Sequence, residues 1–158
     1  MAIELDTKRG VVNSYGVRTT KPRYGGDVPD DLVQIASWTW SFDDLPVWSA
    51  SKLEYNLPAF AKILSANLEV LTPWVGGTSL AVGTVNASDG TGGTAGGFVT
   101  AVQAATANIN ARGQFITGTG ALVGASVGSV PQELNVVAVG TYTAGKARLV
   151  VRYIIEGV

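Results

Sequence analysis

The hydrophobic pattern divides the chain near residue 36. Before that point apolar and polar residues follow neither the two-residue period of a strand nor the longer one of a helix, and Gly10, Gly16, Pro22, Gly25-Gly26 and Pro29 punctuate the stretch. Residues 1–35 therefore read as an extended N-terminal arm and residues 36–158 as one β domain. The strand signal starts at Gln34. In Ser37-Trp38-Thr39-Trp40-Ser41-Phe42 the three aromatics fall on alternate residues, so one strand face carries all of them. Asp43-Asp44-Leu45-Pro46 ends that strand, because Pro46 has no N–H for a ladder and aspartates hold local backbone amides.

A second strand is predicted from Leu57-Pro58-Ala59-Phe60 through Thr72. Leu64, Ala66, Leu68, Val70 and Thr72 are expected on one face, and Ile63, Ser65, Asn67, Glu69 and Leu71 on the other. Trp74–Thr78 then reads as a turn, with Ser79–Val85 returning as a hairpin. Residues 86–97 form a Gly/Thr-rich loop. Phe98–Asn108 sets Phe98, Val102, Ala105 and, just beyond, Ile109 at helical spacing, and it is the one short helix expected. Glycines cut the next stretch into short pieces near Gln114–Thr117 and Ala121–Val123. Two strands close the chain. Leu134–Gly140 is the more continuously apolar of the two and is expected in mid-sheet. Lys146–Glu156 places Arg148, Val150, Arg152 and Ile154 opposite Leu149, Val151, Tyr153 and Ile155. This order predicts an all-β fold, an antiparallel β-sandwich of jelly-roll type.

Composition narrows the chemistry. Apolar residues make up 46% of the 158 and charged ones 15%, against roughly 25% charged in ordinary soluble domains. So few charges suit a surface partly hidden in an assembly. The net charge of −1 gives no field for nucleic acid or an anionic membrane. Cysteine and histidine are both absent, which removes disulfides, thiolate metal sites and every Ser-His-Asp or Cys-His arrangement. The first six residues lack the basic start and apolar core of a signal peptide, and no apolar run reaches the ~18 residues of a membrane span.

The remaining candidates for chemistry weaken on inspection. Asp43 or Asp44 with Glu54 or Glu69 would be a glycosidase-like carboxylate pair, but the turn after the aromatic strand already employs the aspartates. Gly90-Thr91-Gly92-Gly93 lacks the Gly-Lys-Ser/Thr continuation of a phosphate loop, and Asp89 alone falls short of a Ca²⁺ site. No catalytic residue, metal or cofactor is expected. Trp38, Trp40, Trp48 and Trp74 suit either a sugar-stacking platform or a core flanked by subunit contacts. The arm holds Lys8, Arg9, Arg18, Lys21 and Arg23 against Glu4 and Asp6, and an acidic joint of Asp27, Asp30 and Asp31 follows. With Tyr15 and Tyr24 as apolar anchors it reads as a segment that orders on a partner.

Several segments have a familiar order. Phe42-Asp43-Asp44-Leu45-Pro46, Leu57-Pro58-Ala59, Ala66-Asn67-Leu68-Glu69-Val70-Leu71, Gly76-Gly77-Thr78-Ser79-Leu80-Ala81-Val82-Gly83-Thr84, Gly118-Thr119-Gly120-Ala121-Leu122-Val123-Gly124 and Thr143-Ala144-Gly145-Lys146-Ala147 follow one another. Together with the arm segment Gly16–Gly26, this resembles the small virion structural proteins of tailed, podovirus-like marine bacteriophages. The resemblance implies a virion component made in the host cytoplasm, such as a capsid decoration (cement) protein. Its partners would then be the major capsid protein and copies of itself, with a trimer matching the three-fold positions of a shell. Lys8, Arg9, Tyr15, Arg18, Lys21, Arg23 and Tyr24 are the expected capsid contacts. The alternative is a fibre-associated module that binds host surface glycans.

Overall fold

The computed structural model describes residues 33–45 and 57–155 in full, and residues 2–6 and 11–15 as backbone. The backbone segments are β1 (Ala2–Asp6) and β2 (Val11–Tyr15), which pair antiparallel as a separate two-stranded sheet with Ala2 opposite Tyr15. The domain comprises β3 (Gln34–Ser41), β4 (Ala61–Gly76), β5 (Ser79–Asn86), β6 (Thr94–Val99), β7 (Phe115–Thr117), β8 (Gln132–Val139) and β9 (Tyr142–Ile155). A four-stranded sheet in the order β3-β9-β4-β7 faces a three-stranded sheet in the order β6-β5-β8, and every pairing is antiparallel. One core lies between them, drawing Trp38, Leu68 and Leu149 from the first sheet and Leu80, Phe98 and Val136 from the second. The molecule is an antiparallel β-sandwich.

A two-stranded ribbon passes from one sheet into the other. β4 pairs with β9 as far as Gly76 opposite Tyr142, and β5 pairs with β8 from Ser79 opposite Val139. Between these points Gly77 N–H donates to Thr141 O (2.8 Å) and Thr78 N–H to Val139 O (2.7 Å). One antiparallel ribbon is thus folded over at Gly76–Thr78 and Gly140–Thr141, and it supplies the two central strands of the first sheet and the central strand and one edge of the second. The hairpin expected at Trp74–Thr78 is therefore a corner: β5 leaves the sheet of β4 instead of pairing with it. The corner needs glycine. Gly77 has φ +57°, and a Cβ there would enter the ring of Tyr142. Tyr142 stands edge-on to Trp74, with ring centroids 5.1 Å apart, and the two aromatics fill the inside of the fold.

The other long side of the sandwich is sealed by the chain after β7. Gly118 N–H donates to Ala66 O of β4, Gly120 N–H to Phe98 O of β6 and Leu122 N–H to Gly97 O, so this segment ties the two sheets together. A Cβ on Gly120 would strike the Gly96 and Gly97 carbonyls, so the close approach demands glycine. Residues 124–127 then run beside the start of β4, with Gly124 N–H donating to Ile63 O and Val127 N–H to Ala61 O.

Three further expectations change. The helix over Phe98–Asn108 is replaced by the end of β6, turns, and a single 3₁₀ turn at Thr106–Asn108. Phe98 and Val99 are adjacent and both fully buried, while Val102, on the supposed helical face, is 82% exposed. Neighbouring residues of that stretch are therefore enclosed on both sides, as in a sandwich strand. β8 is an edge strand, not a central one; β5 holds the middle of its sheet, and Val137 and Val139 of β8 are exposed. In β4 the face assignment holds from Ala66 to Val70 but fails at Leu64, which is 43% exposed while Ile63 is buried. The register slips between Ile63 and Ser65, so Leu64 is an inserted bulge residue and the alternation reverses across it.

Candidate functional site

The residues expected to meet a partner mostly lie outside the described residues: Lys8, Arg9, Arg18, Lys21, Arg23 and Tyr24. Tyr15 ends β2, where its backbone pairs with Ala2. Trp48 and Glu54 also lie outside. The other chemical candidates are placed clearly. Trp38, Trp40 and Trp74 are buried in the core, so none is a stacking platform. Asp44 Oδ2 accepts the Ser41 backbone N–H (2.8 Å) and hydroxyl (3.0 Å), closing the 3₁₀ turn at Phe42–Asp44 as its sequence suggests. Glu69 accepts Arg148 Nε (3.1 Å) and Nη2 on one oxygen. Asp89 Oδ1 accepts the Thr91 N–H (2.9 Å), and these local hydrogen bonds lower its pKa. Among the described residues no three His, Cys, Asp or Glu side chains group as metal ligands.

What the fold does assemble is a flat, mixed surface on the outside of the four-stranded sheet. Strand register sets its rows. Thr39, Arg148, Glu69 and Phe115 lie side by side across β3, β9, β4 and β7; Ser37, Val150, Asn67 and Thr117 form the next row. Ile35, Arg152 and Ser65 make a third row across β3, β9 and β4. Ile35 and Phe115 are 66% and 62% exposed, and the bulge residue Leu64 adds a further apolar side chain. The Arg148–Glu69 pair is solvent-exposed and contributes at most about 1 kcal/mol to stability. Its two hydrogen bonds hold the guanidinium against Glu69, whose cross-strand neighbour on β7 is Phe115. The alternation in β9 revealed the arginines of this face. The outward position of Ile35 and Phe115 is not legible in the sequence, since each sits beside another apolar residue, Ala36 and Ile116, and the local pattern does not say which of the two faces the core.

A second feature is a cleft beside the turn that joins β5 to β6. The Gly/Thr-rich stretch 87–93 curls back over Asn86, with Asn86 N–H donating to Thr91 O and Gly90 N–H to Asn86 O. The last part of the expected loop, from Thr94, is strand β6. Thr84, Asn86, Thr94, Ser129 and Gln132 contribute polar groups to the cleft, and Leu122 and Val127 apolar ones.

No protein-family model matches this chain, and no curated protein matches it. Among solved structures, a chain described as "Cyanophage Pam1 capsid asymmetric unit" is similar: the two are 20% identical, with a TM-score of 0.45, over 91% of this chain and 97% of that one.

Proposed function

We propose that this chain is a structural component of a bacteriophage particle that binds the outside of the shell as a decoration protein. The observation that carries this reading is the outer face of the four-stranded sheet, where Ile35, Leu64 and Phe115 are exposed beside Arg148 and Arg152. Interfaces favour this pairing of apolar anchors with arginine. The sequence resemblance to small virion proteins of tailed phages supports the same conclusion. The buried tryptophans add to it by building a stiff platform on which a flat contact surface can be held.

The partner is the major capsid protein, with further contacts between copies of this chain as a trimer at the three-fold positions of the shell. The arm adds the basic groups Lys8, Arg9, Arg18, Lys21 and Arg23, with Tyr15 and Tyr24 as anchors. Each exposed ion pair is worth about 0–1 kcal/mol, so affinity comes from many weak contacts repeated within an oligomer. Deleting residues 1–30 is expected to leave a cooperatively unfolding domain that no longer co-sediments with capsids lacking this protein. Charge reversal at Lys21 and Arg23, and Phe115→Asp on the sheet face, are expected to weaken binding without loss of fold. Unchanged capsid binding by all of these variants would refute the proposal.

A further inference from the structure

The chain enters β4 through a turn whose third residue is of the wrong type for its backbone. Ala61 N–H donates to Pro58 O (3.2 Å), so Ala59 and Phe60 are the two central residues. Phe60 has φ +62° and is the one non-glycine residue with positive φ among the described residues. That is the pattern of a type II turn, which calls for glycine or asparagine at this place because a bulky side chain strains the left-handed conformation. The turn cannot relax. Phe60 N–H is held by Gly128 O (2.7 Å), and Leu57 exchanges both backbone hydrogen bonds with Gln132 (2.8 and 2.9 Å) just before it. Backbone geometry alone would favour glycine or asparagine, yet an aromatic stands here and is 39% exposed. Strain that the surrounding structure enforces points to a use for the side chain.

The surroundings define that use. Phe60 directly precedes Ala61, the first residue of β4. It therefore adjoins the end of the outer sheet face where Lys62 pairs with Ile154, and where Ile35, Arg152 and Ser65 form the next row. Exposed Ile35 and Leu64 belong to the same end. The face is basic. Of the five basic residues described in full, Lys62, Arg112, Lys146, Arg148 and Arg152, all but Arg112 occupy outward positions of β4 and β9. Glu69 is the one acidic residue among the described residues of that face, and it is spent on Arg148. The chain as a whole has a net charge of −1, so positive charge is gathered here. Resting on the reading of this face as the shell contact, we propose that Phe60 anchors it by entering an apolar pocket of a partner surface whose rim carries carboxylates. A second copy presenting the same face is unsuitable, because it would set these cations against one another. A phosphate backbone offers no pocket for Phe60, Ile35 and Leu64, whereas an acidic protein surface supplies both the pocket and the counter-charge.

The test is binding of the full chain to capsids that lack it, measured by co-sedimentation, alongside urea unfolding of the free chain. Phe60→Gly and Phe60→Asn both suit a positive φ. Each is expected to weaken binding at least about tenfold, the loss of one aromatic anchor, while lowering the urea midpoint far less than Leu68→Ala in the core does. Arg152→Glu should weaken binding by a similar factor at low salt, and Arg152→Lys much less. Capsids that fail to bind the unaltered chain would refute the shell reading and this inference together. Undiminished binding by both Phe60 variants would overturn this inference alone. So would a midpoint as low as that of Leu68→Ala, which would assign Phe60 to the folding of the turn. Undiminished binding by Arg152→Glu would overturn the acidic rim.

Discussion

Gly145 lies against the indole of Trp74 with φ +147°, and any Cβ there would overlap the ring. Trp74 is buried and packs edge-on to Tyr142, so neither aromatic has room to withdraw. Gly145→Ala should therefore cost about 3 kcal/mol from overpacking and backbone strain together, read as a lower urea midpoint with unchanged slope. Asp89 makes a second prediction at this scale. Its pKa is lowered by the Thr91 backbone hydrogen bond from the ordinary 3.8. A lowered pKa means that the carboxylate steadies the turn fully above that value and lets go as the pH falls through the lower, folded one. The Thr91 amide resonance should move with a midpoint below 3.8, and Asp89→Asn should abolish the titration. A midpoint at or above the ordinary value would show that the hydrogen bond does not persist in solution.

The strands show which parts of the fold local pattern can reveal. β3 and β9 were legible because each is an uninterrupted alternation: Trp38 and Trp40 point inward, as do Leu149, Val151 and Tyr153, while Arg148 and Arg152 point out. β4 was only partly so, because the bulge at Leu64 shifts the phase and no residue type announces it. The consequence can be measured. Leu64→Ser should change stability by less than about 0.5 kcal/mol, whereas Leu68→Ala, at a fully buried position of the same strand, should cost about 2–5 kcal/mol. Equal costs would place Leu64 in the core and remove the bulge. The corner at Gly76–Thr78 was mistaken for a hairpin for a different reason. Glycines permit a reversal and a fold-over equally, and only the partner segment at Gly140–Tyr142 decides between them. The false helix at Phe98–Asn108 arose because burial from both sheets hid the two-residue period. The Asn86–Gln132 cleft was invisible in sequence, since its two amides are 46 residues apart and meet only because β5 pairs with β8.

At the scale of the whole molecule, one folded ribbon contributes two strands to each sheet, and the chain after β7 laces them together on one side. The remaining side is bounded by the edge strands β3 and β8. Ile35 of β3 and Val137 and Val139 of β8 are exposed on these two strands, so each sheet carries apolar side chains on its edge strand. With only 15% charged residues over the chain, such a surface is suited to permanent cover in an assembly. The basic residues precede β3 in the sequence, and on the proposed reading they and the sheet face would address one partner together. Capsid binding should then weaken with rising salt without vanishing, because screening removes the arm's ion pairs and leaves the apolar contacts. The central proposal is that this chain coats a bacteriophage shell, and its copy number in purified phage particles tests this most directly. Quantitative mass spectrometry should find a number comparable to that of the shell subunit itself, in fixed ratio from one preparation to the next. A handful of copies per particle, as in a fibre or tail part, or none, would contradict it.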